Sequence, residues 1–168
     1  INSIASGRNA GPQDQSSNPI AIGHDAGTNF QANNAIAIGQ QAGRTDQSGN
    51  AIAIGPRAGN SSQEPGCIAI GQNAGAISQG NNDASANSIA IGLQAGADTQ
   101  GAGSIAMGES AGQFDQSNNA IAIGWQAAMG RNNTGQGLNA ITMGSAAGRA
   151  AGFTAPGPAS KALASGTA

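Results

Sequence analysis

The chain has 168 residues, of which only 2% are aromatic and 8% charged, and its formal net charge is −2. The large side chains that supply most of the buried area in an ordinary domain are therefore nearly absent. The charge balance provides neither the basic surface that binds nucleic acid nor an acidic tail. A single cysteine, Cys67, excludes an internal disulfide framework and a multi-cysteine metal site.

The chain lacks the sequence signals of a membrane segment. No apolar run approaches the roughly 20 residues that a membrane-spanning helix needs, so no membrane contact is expected from this segment. The chain opens at Ile1 without the order of regions found in a signal peptide. We interpret it as a processed chain or a segment of a longer protein, with any signal or anchor outside it.

One short motif recurs nine times along residues 1–148. Residues 36–43 read IAIGQQAG, and its near-copies begin at Ile4, Ile20, Ile52, Ile68, Ile89, Ile105, Ile121 and Ile141. The glycine after the second apolar residue recurs every 16 residues, with two longer spacings of 21 and 20. The longer spacings locate insertions within residues 80–88 and between Ala128 and Gln136. Insertions at particular points of a repeat mark loops that leave a regular scaffold.

The I-A-I triplet predicts a short strand in every repeat. Its strict alternation places the two isoleucines on one face and the alanine on the other. The isoleucine face is predicted to form the core, so that Ile54→Asp would bury an unpaired carboxylate. The predicted core residues are Ile20, Ile22, Ile36, Ile38, Ile52, Ile54, Ile68, Ile70, Ile89, Ile91, Ile121 and Ile123.

Turn residues bound each predicted strand. A glycine follows the triplet, and an asparagine or glycine, such as Asn34 or Gly66, stands two residues before it. Each repeat is then one coil of an all-β parallel solenoid, with a strand, a corner, a second short side and another corner. Nine coils of about 16 residues, stacked at about 4.8 Å, predict a rod roughly 40 Å long. Residues 149–168 lack the repeat and are predicted to be an Ala/Gly/Pro-rich linker or tail.

A glutamine follows the central glycine by eight residues in each of the first seven repeats. Stacking of the coils would bring these side chains into one column. We expect a buried or half-buried ladder of amides linked from coil to coil. A solvated row used for binding is the alternative. The column consists of Gln15, Gln31, Gln47, Gln63, Gln79, Gln100 and Gln116.

The alanine of each triplet is predicted to face outward and to form a flat stripe. A single coil with two isoleucines inside has a thin core, so the stripe is expected to contact a second chain. The contact candidates are Ala21, Ala37, Ala53, Ala69, Ala90, Ala106 and Ala122.

No catalytic, cofactor or metal site is expected, and the chain is predicted not to be an enzyme. His24 occupies a variable motif position and has no converging nucleophile, because Cys67 lies at a different position of its coil. Repeat scaffolds place specific contacts in the loops that interrupt their regularity. The ligand-contact candidates in the two insertions are Asn81, Asn82, Asp83, Arg131, Asn132 and Asn133.

The strings NAIAIGQQAG, NAIAIGPRAG and NSIAIGLQAG resemble the head repeats of YadA-like trimeric autotransporter adhesins. The resemblance covers residues 1–148. It implies a left-handed parallel β-roll, three chains packed side by side as a homotrimer, and display on an extracellular fibre. The implied fibre is anchored in the outer membrane or carried on a virion surface. Adhesion to host-surface or extracellular-matrix components, and a role in virulence, are further implications.

Other functions remain open on the sequence. The segment could be a non-binding spacer of a viral or phage fibre. An ice-binding solenoid would also present a flat face, although the column predicted to be flat here is alanine rather than threonine. A left-handed β-helix acyltransferase is disfavoured, since those enzymes carry three hexapeptides per coil of about 18 residues and a catalytic histidine.

Overall fold

The chain forms a parallel β-solenoid of about eight turns, stacked through two sheets. The computed structural model describes residues 2–11, 16–80, 86–130, 135–148 and 163–165. Throughout these ranges the regular secondary structure is β-strand and no helix occurs. The all-β solenoid predicted from the repeat is confirmed.

The first sheet, sheet A, stacks the I-A-I triplets in parallel and in register, so that Ile36, Ala37 and Ile38 pair with Ile52, Ala53 and Ile54. It has ten strands of three residues each. In order across the sheet they are β1 (Ile4–Ser6), β2 (Ile20–Ile22), β4 (Ile36–Ile38), β6 (Ile52–Ile54), β8 (Ile68–Ile70), β10 (Ile89–Ile91), β12 (Ile105–Met107), β14 (Ile121–Ile123), β15 (Ile141–Met143) and β16 (Leu163–Ser165).

The second sheet, sheet B, is formed by the other short side of the coil, and each of its strands ends in the repeated glutamine. Only the first and third residues of neighbouring strands pair, as in Asn29 with Thr45 and Gln31 with Gln47. The middle residue has a positive φ, for example 52° at Asp46, which turns the third side chain inward. The six strands are β3 (Asn29–Gln31), β5 (Thr45–Gln47), β7 (Ser61–Gln63), β9 (Ile77–Gln79), β11 (Asp98–Gln100) and β13 (Phe114–Gln116).

The corners of the coil use left-handed backbone at fixed positions. The predicted turn residue before the triplet has positive φ in successive coils, with values of 58° at both Asn34 and Asn50. The glycine after the triplet has a φ of 122° at Gly55, and a Cβ there would lie 2.8 Å from the backbone carbonyl carbon of Gly71 in the next coil. Glycine is therefore required at this corner by conformation and by close stacking.

The two faces of sheet A are the reverse of the sequence prediction. From β2 to β14 the alanine of each sheet A triplet is fully buried, whereas the isoleucines are half-buried or exposed; in the end strand β1 Ala5 is exposed. The alanines expected to contact another chain are thus inside the coil, namely Ala21, Ala37, Ala53, Ala69, Ala90, Ala106 and Ala122. The isoleucines expected in the core line the outer face, namely Ile20, Ile22, Ile36, Ile38, Ile52, Ile54, Ile68, Ile70, Ile89, Ile91, Ile121 and Ile123.

The narrow interior explains this reversal. In the fourth repeat the residues that point inward from the backbone are Ala51, Ala53 and Ala58, all with no exposed surface. The strand alternation runs from Ala51 through the triplet, so burying both alanines turns Ile52 and Ile54 outward. An isoleucine at the alanine positions would have to displace the opposite sheet, which close packing does not tolerate. Thr142, which occupies this position in the last repeat, is smaller than isoleucine and accepts a hydrogen bond from Gln136.

The glutamine side chains cross the remaining interior space. Gln63 has no exposed surface, and its Nε2 donates to the backbone oxygens of Ile52 at 2.8 Å and Cys67 at 3.2 Å. The same nitrogen donates to Oε1 of Gln79 at 3.1 Å, and Gln47 donates to Gln63 at 3.1 Å. The buried amide ladder predicted from the sequence is therefore confirmed from Gln31 to Gln79, with each amide donating to the following coil.

The ladder is interrupted at Gln100 and resumes later. Gln100 and Gln116 are buried, but the Oε1 atoms of both have no hydrogen-bond partner. Gln116 donates to Oε1 of Gln136 at 3.1 Å, which extends the column beyond the seven predicted members. Gln136 in turn donates to Oγ1 of Thr142 at 3.0 Å. Gln15 of the predicted column lies outside the described residues.

The second glycine of the motif packs against this ladder. A Cβ on Gly59 would lie 2.5 Å from Oε1 of Gln63, and the equivalent contact at Gly43 with Gln47 has the same length. Both glycines have a φ of 49°. The A-G dipeptide thus leaves room for the glutamine four residues later, which explains why the two features recur together.

Sheet A continues in register across both insertions, whereas sheet B continues across the first and ends at β13. Ile68 pairs with Ile89 and Gln79 pairs with Gln100 across the first insertion, and Ile121 pairs with Ile141 across the second. Within the predicted tail, strand β16 adds to sheet A, where Leu163 pairs with Ile141. This strand was not predicted, because Leu163–Ser165 lacks the I-A-I-G pattern.

Aspartate substitutions at neighbouring positions test which face of sheet A is inside. We expect Ala53→Asp to abolish the folded β spectrum, because an unpaired buried carboxylate costs several kcal/mol. Ile54→Asp is expected to retain it, because Ile54 is 36% exposed. Far-UV circular dichroism and urea unfolding, at a dilution where the protein sediments as one chain, measure both. Unfolding by Ile54→Asp but not by Ala53→Asp would show that the isoleucines, and not the alanines, form the core.

Leucine substitutions within the glutamine column test the contribution of the ladder. Gln63→Leu removes two amide bonds between coils, whereas Gln100→Leu removes none, although both lose the bonds to backbone oxygens within their own coil. We expect Gln63→Leu to lower the free energy of unfolding by about 1–3 kcal/mol more than Gln100→Leu. Urea titrations of the two variants give this difference. Equal losses would show that the bonds between coils add nothing.

Candidate functional site

The outer face of sheet A is an apolar surface formed by two adjacent columns of side chains, here called the isoleucine face. Its members are the first and third residues of strands β1 to β15 in sheet A. Parallel in-register pairing brings the equivalent residues of successive strands next to one another. Exposure is 36% at Ile54 and Ile70 and 39% at Ile22 and Met107, and it rises to 47% at Met143 and 54% at Ile4 in the strands near the ends.

The size of this face exceeds what scattered surface residues produce. Nine stacked strands of three residues give a face about 40 Å long and about 10 Å wide. Its area of roughly 400 Å² is at the level where contiguous apolar patches mark interaction sites. The face is flat and its columns carry no charged residue among the described strands. It can associate with another flat apolar surface, and it offers no group for acid–base or nucleophilic chemistry.

A groove runs along the corner between the two sheets. Its walls are formed by the residues two and five positions after the central glycine, while the intervening Ala-Gly pair is buried. Because Ala58 and Gly59 have almost no side chain, the space between the walls remains open. The groove has a volume of about 380 Å³ and is lined by Gln41, Arg44, Arg57, Asn60, Asn73, Ala76 and Ile77.

The polar groups of the groove are held by contacts between coils. Nε of Arg57 donates to Oε1 of Gln41 at 3.2 Å, which directs the guanidinium toward the preceding coil. Nδ2 of Asn60 donates to the backbone oxygen of Gln41 at 2.9 Å. Arg44 and Arg57 are exposed and come from opposite walls of adjacent coils. The arrangement can bind an anion by charge and by the guanidinium donors.

The structure does not describe the loop residues predicted to contact a ligand. Asn81, Asn82, Asp83, Arg131, Asn132 and Asn133 lie outside the described residues. Ligand contact by the insertions stays a prediction.

His24 lies in a polar cluster in the first two coils. Its Nε2 atom accepts from Nη2 of Arg8 at 2.6 Å and lies 3.5 Å from Oδ2 of Asp25. The Asn9 side chain donates to Asp25 at 3.1 Å, and this bond is the largest cause of a lowered pKa of Asp25. The cluster contains no serine or cysteine hydroxyl or thiol in contact with the imidazole among these interactions. It can order the coil surface, but it has no nucleophile to activate.

Cys67 is fully buried at the inward position before the triplet, where other coils have alanine, serine or, in the second coil, Pro19. Its Sγ atom lies 3.1 Å from Oγ of Ser88 in the following coil. Burial raises the pKa of the Cys67 thiol. A protonated and inaccessible thiol is a packing element and not a reactive group.

The described part of the chain contains neither a candidate metal centre nor a membrane-spanning helix. No group of three His, Cys, Asp or Glu side chains there could hold a metal ion. Across the same ranges, no helix is long and apolar enough to cross a bilayer. Comparison of the chain with protein-family models, curated proteins and solved structures gives no match.

Sequence reasoning missed both the isoleucine face and the groove. A signal for the first was present, because the residue before each triplet is always small, as at Ala51, Cys67 and Ser88. Alternation from that position would have placed the small residues together on the inward face. The groove gave no comparable signal, since its lining residues differ from coil to coil and converge only through stacking.

Thiol labelling tests the burial of Cys67. We expect an aromatic disulfide reagent to react with native Cys67 on the order of 100-fold more slowly than with the protein in urea, because reaction requires opening of the coil. Glutathione under both conditions is the control for the effect of urea on the reagent. Equal rates for the native and denatured protein would place Cys67 at the surface.

Proposed function

We propose that this chain is a structural and adhesive segment of an extracellular fibre, in which three copies of the solenoid pack side by side. The observation that carries the proposal is the isoleucine face. A single chain leaves this face in water along its whole length. Association through it would remove this apolar surface from solvent.

The shape of the face suits parallel side-by-side packing. Its two columns run along the stacking axis, so a neighbouring solenoid aligned with that axis makes equivalent contacts at every coil. The small contribution of each contact between equivalent coils would then be summed over the nine strands of the repeat. Each chain would bury roughly 400 Å² of this face, which is less than one partner contributes to a standard interface. Three chains around one axis would instead share a continuous central core.

The resemblance to YadA-like head repeats supports a threefold assembly and a left-handed coil. It also supports display on a cell-surface or virion-surface fibre. In this proposal the contact residues are the isoleucines and not the alanines predicted from the sequence, since Ala53 and its equivalents are inside the coil. The spacing of the repeats and the absence of charged side chains from the isoleucine face are both consistent with a fibre core.

The polar corners and sheet B remain exposed when the isoleucine faces meet. They present repeated shallow surfaces, and weak contacts on several coils and chains can combine through multivalency. We therefore assign attachment to this outer surface and assembly to the isoleucine face. No enzymatic role is proposed, because the polar clusters described above lack a nucleophile and a base in contact.

Solution mass tests the assembly. We expect light scattering coupled to gel filtration to give three times the 16.1 kDa mass of the chain. Ile54→Asp should shift the protein toward single chains, because it places a charge in the apolar contact. A monomer for the unaltered chain would overturn assembly, and a dimer would overturn threefold packing.

Ser62→Asp is the matched control for this experiment. Ser62 lies in the middle of β7 on the opposite side of the coil, at the position that Asp46 and Asp115 occupy in other coils. Its φ of 54° is similar to the 52° of Asp46, so aspartate fits the local backbone. The variant adds the same charge and should keep the mass of the parent. Loss of assembly in both variants would show a general charge effect and not a specific interface.

A further inference from the structure

We propose that the groove lined by Arg44 and Arg57 binds an acidic saccharide, with the two guanidinium groups contacting a carboxylate or sulfate of the sugar. The inference rests on the proposed adhesive function and names its ligand class and site. It concerns the described corner of the third to fifth coils and does not involve the insertions. The argument uses charge placement, shape and hydrogen-bonding groups.

Charge is concentrated in the groove to an unusual degree for this chain. The protein contains only six Lys and Arg residues, and two of them line this one surface feature. None of the lining residues is acidic. Among the described residues the one ion pair is His24–Asp25, so neither arginine of the groove is paired with a carboxylate. Asp25 lies beside the groove, where the side chains of Asn9 and Gln41 hydrogen-bond its carboxylate and the charge of Arg44 helps to lower its pKa, but it neither lines the groove nor forms an ion pair with Arg44.

The two arginines converge because they lie on opposite walls. Arg44 is in the wall nearer to sheet B, and Arg57 is in the wall nearer to the isoleucine strand, one coil further on. The bond from Nε of Arg57 to Gln41 draws that side chain back toward the coil of Arg44. An anion between the walls can therefore accept hydrogen bonds from both guanidinium groups.

The remaining lining residues favour a saccharide over a simple anion. Gln41, Asn60 and Asn73 supply amides that both donate and accept, which matches the two roles of sugar hydroxyls. Ile77 is 52% exposed, and together with Ala76 it provides an apolar patch for the C–H face of a sugar ring. A volume of about 380 Å³ accommodates a small ligand segment rather than a protein domain.

The position of the groove agrees with assembly through the isoleucine face. Its walls follow the corner after each triplet, on the part of the coil that leads into sheet B. Three chains would leave three such grooves on the outside of the fibre. Each groove is shallow, so binding of one site should be weak and a polymeric acidic glycan should bind more tightly by multivalency.

Titration calorimetry and side-chain NMR of the assembled protein test the proposal. Trigalacturonic acid is the carboxylate probe, a sulfated disaccharide is the sulfate probe, and galactotriose is the neutral probe. We expect at least one acidic probe to bind and to shift the Arg57 Hε–Nε resonance, while galactotriose binds at least about tenfold more weakly. The affinity should fall as sodium chloride is raised, since the site is exposed.

The double variant Arg44→Gln/Arg57→Gln should weaken binding by about tenfold or more, because it removes both charged donors. Arg8→Gln is the matched control, since Arg8 is exposed but lies outside the groove, and it should bind as the parent does. The mass of each variant is measured in parallel. A double variant that keeps the solution mass of the parent but loses binding supports the groove. A lower solution mass would show that the substitutions disrupt assembly.

Three results would overturn the proposal. The first is equal binding of galactotriose and the acidic probes, which would remove the role of charge. The second is unchanged affinity in the double variant, which would place any binding elsewhere. The third is a stronger response to triglutamate or to inorganic sulfate than to both acidic saccharides, which would identify an acidic-peptide site or a plain anion site. If an acidic saccharide binds, the preferred probe distinguishes carboxylated from sulfated glycans.

Discussion

The structure depends on the small distance between its two sheets. The interior of the coils holds small side chains, mostly alanine with Cys67, Ser88, Ser104 and Thr142 at single positions, together with a glycine and one glutamine side chain per coil. Gly59 and Gln63 illustrate how closely these elements approach, because a single added methyl group would overlap the amide. Such an interior buries little apolar area per coil, so hydrogen bonding carries more of the stabilisation than in an ordinary core.

The glutamine column is how this interior satisfies its polar groups. A buried amide is costly unless it is bonded, and Gln47 and Gln63 are bonded both within their coils and between coils. The amide also joins the two sheets, since it reaches from sheet B to the carbonyl oxygens at the start of the isoleucine strand. Replacing it with a hydrocarbon of similar length would remove this donor and leave the backbone amides as the donors to oxygens such as that of Cys67, which accepts from the backbone nitrogen of Ile52.

The thin core has a direct consequence for the outside of the molecule. Isoleucine has no room inside, so the strongest apolar side chains of the repeat form the outer face of sheet A. The familiar rule that large apolar residues are buried therefore does not hold for the single coil, and it would hold for the proposed assembly. The corner groove has a similar origin, because the Ala-Gly floor that makes room for Gln63 also separates Arg57 from Asn60 at the surface.

The sequence by itself determined the repeat, the strands at each triplet, the corner positions and the glutamine column. These features depend on local periodicity and on residues such as Asn50, Gly55 and Gln63, whose backbone or hydrogen-bonding needs are specific. Only the tertiary structure decided which face of the triplet is inside, because Ile52-Ala53-Ile54 alternates equally well in either orientation. The separation of the sheets selected alanine. Stacking likewise brought Arg44 and Arg57 into one groove and added Leu163–Ser165 to sheet A, since these contacts join residues from different coils with no shared motif.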